Sequence, residues 1–130
     1  MTKDEIVTYW IDSSEVDFQA MESLYDKGHY VWALFVAHLV IEKLLKAHYV
    51  RNLDDNPPLI HNLLRLAEQA HIDLSEDQKN YLLEVTTFNI KTRYPDYKFK
   101  FQKKATKDFT QQHITAIKEL RQCLLKKIKS

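Results

Sequence analysis

The sequence predicts an all-α protein, an up-and-down bundle of four to five helices forming one domain over residues 1–130. One Gly and three Pro, two of them adjacent, are too few for the many reversals that a sandwich or barrel of short strands requires. Hydrophobic residues make up 45% of the chain and charged residues 28%, which supplies a core and is too weak a charge bias for disorder. A length of 130 residues suits a single core.

The elements follow from apolar spacing. Ile6, Trp10, Ser13, Asp17, Ala20, Met21 and Leu24 recur at helical intervals and predict a first amphipathic helix that ends at Gly28. Residues 30–50 are apolar over far more than one stripe and predict a central helix covered on several sides. His38, Glu42, Lys43 and Lys46 interrupt this stretch, leaving no apolar run of about 18 residues, so no membrane span is expected. Asn52 to Pro58 is a turn-rich break, after which Leu59, Ile60, Leu63, Leu64, Leu66, Ala67 and Ala70 predict a short third helix with His61 in its first turn or on the surface. Ser75 and Gln78 have capping-box spacing and open a fourth helix whose inner face is Tyr81, Leu82, Val85 and Phe88. Residues 90–105 lose the helical period and read as the longest loop. A last helix begins at Thr106 or Thr110 and carries the stripe Phe109, His113, Ala116, Ile117, Leu120, Leu124 and Ile128.

Charge is divided along the chain. Residues 1–90 hold 7 Lys/Arg against 15 Asp/Glu, a net of −8, and residues 91–130 hold 12 against 3, a net of +9. Such a cationic segment either meets an anionic partner, nucleic acid before membrane, or packs beside the acidic helices of its own fold. Its densest part, Arg93-Tyr94-Pro95-Asp96-Tyr97-Lys98-Phe99-Lys100-Phe101 with Lys103 and Lys104 following, combines phosphate-holding cations with stacking faces, the pairing that single-stranded nucleic acid and nucleotides require. The same alternation also suits an extended segment burying one side on the bundle.

Several classes of chemistry are excluded. A single Gly cannot build a phosphate-cradling loop, and the lone Cys123 gives neither a disulfide framework nor a multi-cysteine zinc site. The His, Asp and Glu residues form no HExxH or similar ligand spacing, so neither a metal nor another cofactor is expected. The N-terminus lacks the apolar stretch of a signal peptide, making the cytoplasm the expected compartment. Within the central helix His38 and Glu42 share an apolar face one turn apart, and Asp17 is similarly placed on the first helix. Buried without partners these groups would cost several kcal/mol. They are therefore expected to meet one another, a Lys, an Arg of the basic segment or water, in a satisfied core network or a reactive cleft. Glu42 and Lys46 also have the spacing of an intrahelical pair.

Taken in order, these residues resemble a HEPN domain, the small helical module of higher eukaryote and prokaryote nucleotide-binding proteins. The resemblance rests on Asp17, Ala20 and Leu24, on Gly28 with Tyr30-Val31-Trp32-Ala33, and above all on His38-Leu39-Val40-Ile41-Glu42-Lys43-Leu44-Leu45-Lys46-Ala47. It continues through His61, Leu63 and Leu66 to Thr92-Arg93-Tyr94-Pro95-Asp96. It implies a helical bundle that forms a homodimer, a role in RNA or nucleotide biology, and a minimal nucleotidyltransferase as partner in a toxin–antitoxin-like pair. Many HEPN proteins are metal-independent ribonucleases marked by an Arg followed after four to six residues by a His. Here the matching Arg93 is followed by no such His; Arg65 and His71 have the spacing but lie at the third helix. With Arg93 as cation, a ribonuclease toxin would need His38, His61 or His113 to reach across the fold or the dimer as base, and a non-catalytic structural dimer is the other alternative. The resemblance and the residue chemistry together nominate Arg93, Glu42 and His38 as catalytic candidates, and Lys46, His61, Arg93, Tyr94, Asp96, Lys98, Lys100, Lys103 and Lys104 as the RNA- or nucleotide-binding set.

Overall fold

A computed structural model describes residues 1–129 and contains six helices: α1 (Lys3–Asp26), α2 (Tyr30–Asn52), α3 (Leu63–Gln69), α4 (Glu76–Arg93), α5 (Pro95–Lys104) and α6 (Lys107–Lys129). The all-α expectation holds, with one helix more than foreseen. No helix among the described residues is long and apolar enough to cross a membrane.

α2 lies at the centre, packed against α1, α3, α4, α5 and α6. Thirteen of its 23 residues are buried, among them Leu34, Val40, Ile41 and Leu45. Most of its apolar surface is covered within one chain, while Trp32 stays 49% exposed. α1 returns along it through a tight reversal at Gly28, whose φ of +82° is a conformation that side chains with a Cβ avoid. The buried positions of α1 are Val7, Ser14 and Met21; Ser13 is half-buried and Ala20 exposed, so the face is rotated slightly from the one the spacing suggested. Ser14 Oγ donates to the Val40 carbonyl at 2.8 Å, joining the two helices inside the core.

Capping sets the other boundaries. Thr2 and Ser75 form capping boxes with Glu5 and Gln78 at the starts of α1 and α4. Asn62 caps α3 by accepting from the Arg65 N–H, and Thr86 Oγ1 accepts from the Leu63 N–H at 3.0 Å. The helix therefore starts at Leu63 rather than Leu59, and His61 belongs to the loop before it. After α3, His71 takes a φ of 58°, ending the helix in a left-handed step.

The clearest departure from the sequence reading is the segment 90–105. It is not an extended loop: α4 runs on to Arg93, and α5 follows after the single break at Tyr94. Tyr94 is extended at φ −103° and ψ 124°, as a residue before proline should be, and Pro95 occupies the first position of α5, where its missing N–H costs nothing. α5 is attached through few buried side chains. Phe101, 3% exposed, is the one buried residue of the helix, and it stacks on Phe88 of α4 with ring centroids 5.8 Å apart.

A helix tethered this way should open by itself. Phe101→Ala is expected to raise hydrogen exchange across the α5 amides while those of α2 keep their protection; equal acceleration throughout the chain would show α5 to be an inseparable part of the core.

Candidate functional site

Three clusters gather the ionisable residues singled out by the sequence. The first surrounds Glu42 on α2. Its Oε1 lies 3.8 Å from His38 Nε2 and 3.8 Å from His61 Nδ1, and its Oε2 lies 3.5 Å from Lys46 Nζ. His38 and Glu42 come from adjacent turns of one helix, whereas His61 is delivered by the loop before α3. Lys46 also sits over the Trp10 ring of α1, 5.2 Å from its centroid. Glu42 and His38 are buried, but the His61 side chain is 71% exposed. The His61 backbone lies against the His38 ring and favours its protonated form, without a well-formed hydrogen bond to either ring nitrogen. Burial pulls the His38 pKa below 6.5, an effect that the neighbouring Glu42 only partly opposes, so its neutral form is favoured.

The remaining members of the expected networks go elsewhere. Asp17 pairs with Lys43 at 2.7 Å across α1 and α2, outside the Glu42 cluster. Arg93 makes no ion pair with Glu42 among the described residues; its Nη1 donates to Asn89 Oδ1, one turn back on α4, at 3.4 Å. Of the three catalytic candidates the fold thus joins His38 and Glu42 and leaves Arg93 apart. Arg65, within α3, and His71, just past its end, are both exposed.

The second cluster is the outer surface of α5 with the end of α4. Tyr94, Tyr97 and Phe99 are exposed by 55%, 55% and 64%. Arg93, Asp96, Lys100, Lys103 and Lys104 are exposed and Lys98 half-buried. Lys98 Nζ lies 5.0 Å from the Trp32 centroid, Lys103 4.5 Å from Phe99 and Lys104 5.4 Å from Phe109, so the ammonium groups rest on aromatic faces. Among the described residues no carboxylate pairs with Arg93, Lys98, Lys100, Lys103 or Lys104.

The third cluster escaped the sequence reading, except for His113 as a possible base. Tyr81 Oη and His113 Nδ1 are hydrogen-bonded at 2.8 Å, and His113 Nε2 faces Glu84 Oε2 at 3.4 Å. Tyr81 and Glu84 are one turn apart on α4, so both reach a residue of α6; this i,i+3 pair was the signal available in the sequence. The imidazole is walled by Phe88 and Phe109, with ring centroids at 5.0 Å and 4.6 Å. Burial raises the Tyr81 pKa, which keeps its hydroxyl protonated. Burial also lowers the His113 pKa, with Glu84 opposing and Lys104 and Lys91 adding to the effect. These features make a neutral relay between two helices. Among the described residues no three His, Cys, Asp or Glu side chains are grouped to hold a metal ion.

His38, His48 and His113 all have pKa values held below 6.5, chiefly by burial. The unfolded chain then binds protons that the fold excludes, so stability is full above the unfolded-state value and falls as pH drops through and below it. Melting temperatures measured across this range should decline with acidification. His38→Leu should weaken that decline and, because neither nitrogen has a well-formed hydrogen bond, change stability at neutral pH by no more than about 1 kcal/mol. An unaltered pH profile would assign the effect to the other two histidines.

Removing Glu42 should matter more than removing an exposed acid. Chemical denaturation of Glu42→Ala is expected to show a loss of about 1–3 kcal/mol, since half-enclosed Lys46 loses its counter-charge. Glu76→Ala should stay within about 0.5 kcal/mol of the parent.

The HEPN-domain family model matches residues 7–128, from the first turns of α1 to the end of α6. No curated protein and no solved structure matches the chain. With the six-helix arrangement and nearly the whole chain covered, the protein belongs to the HEPN-domain family.

Proposed function

We propose that this HEPN protein binds single-stranded RNA or nucleotides through α5 and the end of α4. The observation that carries the reading is the set of cations Arg93, Lys98, Lys100, Lys103 and Lys104, which have no carboxylate partner among the described residues and lie beside the exposed rings of Tyr94, Tyr97 and Phe99. Elsewhere in the basic part some of the charge is neutralised internally. Lys118 pairs with Glu22 at 3.2 Å and Arg121 with Glu15, both on α1. The +9 of residues 91–130 is thus partly spent on the fold and partly left for a ligand. Phosphates suit the ammonium and guanidinium groups, and bases suit the rings.

In this reading the protein acts as a homodimer in a toxin–antitoxin-like pair with a minimal nucleotidyltransferase, and Asp96, Lys46 and His61 are secondary contacts. Metal-independent RNA cleavage is a second reading, and the Glu42 cluster favours it: an exposed His61 beside a carboxylate can act as base, with Lys46 as the nearby cation. Incubation with RNA in the presence of EDTA separates the two. Cleavage abolished by His61→Ala supports the second reading, and intact RNA at every protein level removes it.

Binding by α5 has its own signature. RNA affinity should fall steeply with salt, and replacing Lys98, Lys100, Lys103 and Lys104 together by Ala should flatten the slope, each lost phosphate contact removing about 0.7 from it. Tyr94→Ala should weaken binding by about 1–3 kcal/mol with the slope unchanged, because stacking releases no ions. Weak, salt-insensitive binding by the parent protein would reject the nucleic-acid reading.

A further inference from the structure

The largest side chain of α2, Trp32, is left 49% exposed at the first turn of a helix that is otherwise mostly covered. Half an indole kept in water forgoes the stabilisation that burial gives the rest of the helix, and suits a place where a flat ligand covers it. Trp32 stands at a recess of about 310 Å³ between the α1–α2 reversal and α5. Gly28 and His29 of the reversal, with Tyr30 and Trp32 of α2, form one wall, and Lys98 and Gln102 of α5 form the other.

A ring, a cation and an amide converge there. Lys98 and Gln102 are four residues apart in α5 and so share the face turned towards α2, whereas Lys100 and Lys104 project from a different side of the helix. Lys98 Nζ lies 5.0 Å from the centroid of the Trp32 ring, which fixes an ammonium group beside the indole. Among the described residues no carboxylate pairs with Lys98, and the Gln102 side chain makes no hydrogen bond. One ammonium group covers one point of the indole and leaves the remainder open.

A nucleotide uses all three groups. Its base is flat and stacks on an indole, the base edge carries donors and acceptors that match the donor and acceptor of one carboxamide, and its phosphate takes the ammonium. When a base enters, the Lys98 ammonium, on a flexible four-carbon stem, exchanges the ring for the phosphate. Other ligand classes fit less well. A simple anion would use Lys98 and leave Trp32 in water, and a purely apolar ligand would cover Trp32 while stripping water from Lys98 and Gln102 without replacing it. The recess lies at the small end of the range for ligand clefts, which suits one nucleotide rather than a length of strand.

We infer that the recess between the start of α2 and α5 receives a single nucleotide, free or within a strand, with its base on Trp32, the base edge at Gln102 and the phosphate on Lys98. This rests on the nucleic-acid reading above and makes it specific: the inner side of α5 holds one base, and the outer side meets the rest of the strand.

The test uses the full-length protein with AMP, UMP, adenosine and ribose 5-phosphate. Tryptophan emission is expected to be quenched saturably by the two mononucleotides and left unchanged by ribose 5-phosphate, which has no base; calorimetry follows binding in parallel. Trp32→Ala should abolish the quenching although Trp10, the other tryptophan, remains, and should weaken AMP binding about tenfold or more. Adenosine should bind about tenfold more weakly than AMP, and Lys98→Ala should bring AMP to the level of adenosine without changing adenosine itself. Gln102→Ala should alter the ratio of AMP to UMP affinity. Lys118→Ala, on α6 outside the recess, should behave as the parent; thermal melts verify that each variant is folded. AMP binding that survives Trp32→Ala and Lys98→Ala would overturn the assignment to this recess, and equal affinity for AMP and adenosine would overturn the placement of the phosphate. Emission that changes with protein concentration alone, without nucleotide, would show a second copy covering Trp32 and overturn the inference. Salt-dependent binding of single-stranded RNA with no mononucleotide response would overturn it too, leaving α5 as a general RNA surface. Absence of both would overturn the nucleic-acid reading itself.

Discussion

The enclosure of α2 is the constraint on which the structure depends. A helix with no polar face has to be surrounded, because any side left in water forfeits roughly 25 cal/mol for each Å² of apolar surface that burial would remove. Every other helix packs against it. The reversal at Gly28 lays α1 along one side, α6 closes another, and α3, α4 and α5 complete the cover. The position of each functional cluster follows. Glu42 and His38 sit on the enclosed helix, and α5, with a single buried residue, presents its outer surface to solvent.

That enclosure brings polar groups into the interior, and the fold treats them in different ways. Ser14 and His48 bond to backbone carbonyls of neighbouring helices, at 2.8 Å in both cases, which satisfies the side chains and locks α1 and α6 onto α2. His113 is satisfied by Tyr81 and Glu84. His38 has no well-formed hydrogen bond at either ring nitrogen, a condition that costs stability and is unusual in a core. Glu42 and the His61 backbone lie close to its ring, a looser arrangement than the bonded relay at His113.

Electrostatics separates the basic helices by role. α6 supplies cations to α1, as Lys118–Glu22 and Arg121–Glu15, and Arg121 also stacks over Phe18 with its guanidinium carbon 4.0 Å from the ring centroid. Exposed pairs of this kind contribute about 0–1 kcal/mol each, enough to orient α1 and α6 without driving the fold. α5 takes no part in such neutralisation. Its lysines lean on aromatic rings instead, an arrangement that keeps the ammonium charge available while fixing where it sits. The net charge of +1 conceals this completely.

The sequence by itself determined the class of fold, the central place of α2, the capped start of α4 at Ser75 and the stripe of α6, because each of these is local: helical period, capping chemistry and continuous apolarity are written within a few turns. It also carried the family, through His38 to Ala47 and the later Arg93-Tyr94-Pro95-Asp96. It misjudged residues 90–105, since Phe101 is the one strongly buried contact of α5 and a single anchor leaves no period to detect. His61 was legible as a residue of interest, but its meeting with Glu42 depends on a loop closing across α2, and the loop's turn chemistry says nothing about that distance. The separation of Arg93 from Glu42, the pairing of Asp17 with Lys43 and the meeting of Tyr81 with His113 were decided only by the tertiary structure. They join residues on different helices, and which faces meet is set by how all the helices together cover α2, a global packing condition that no local stretch of sequence encodes.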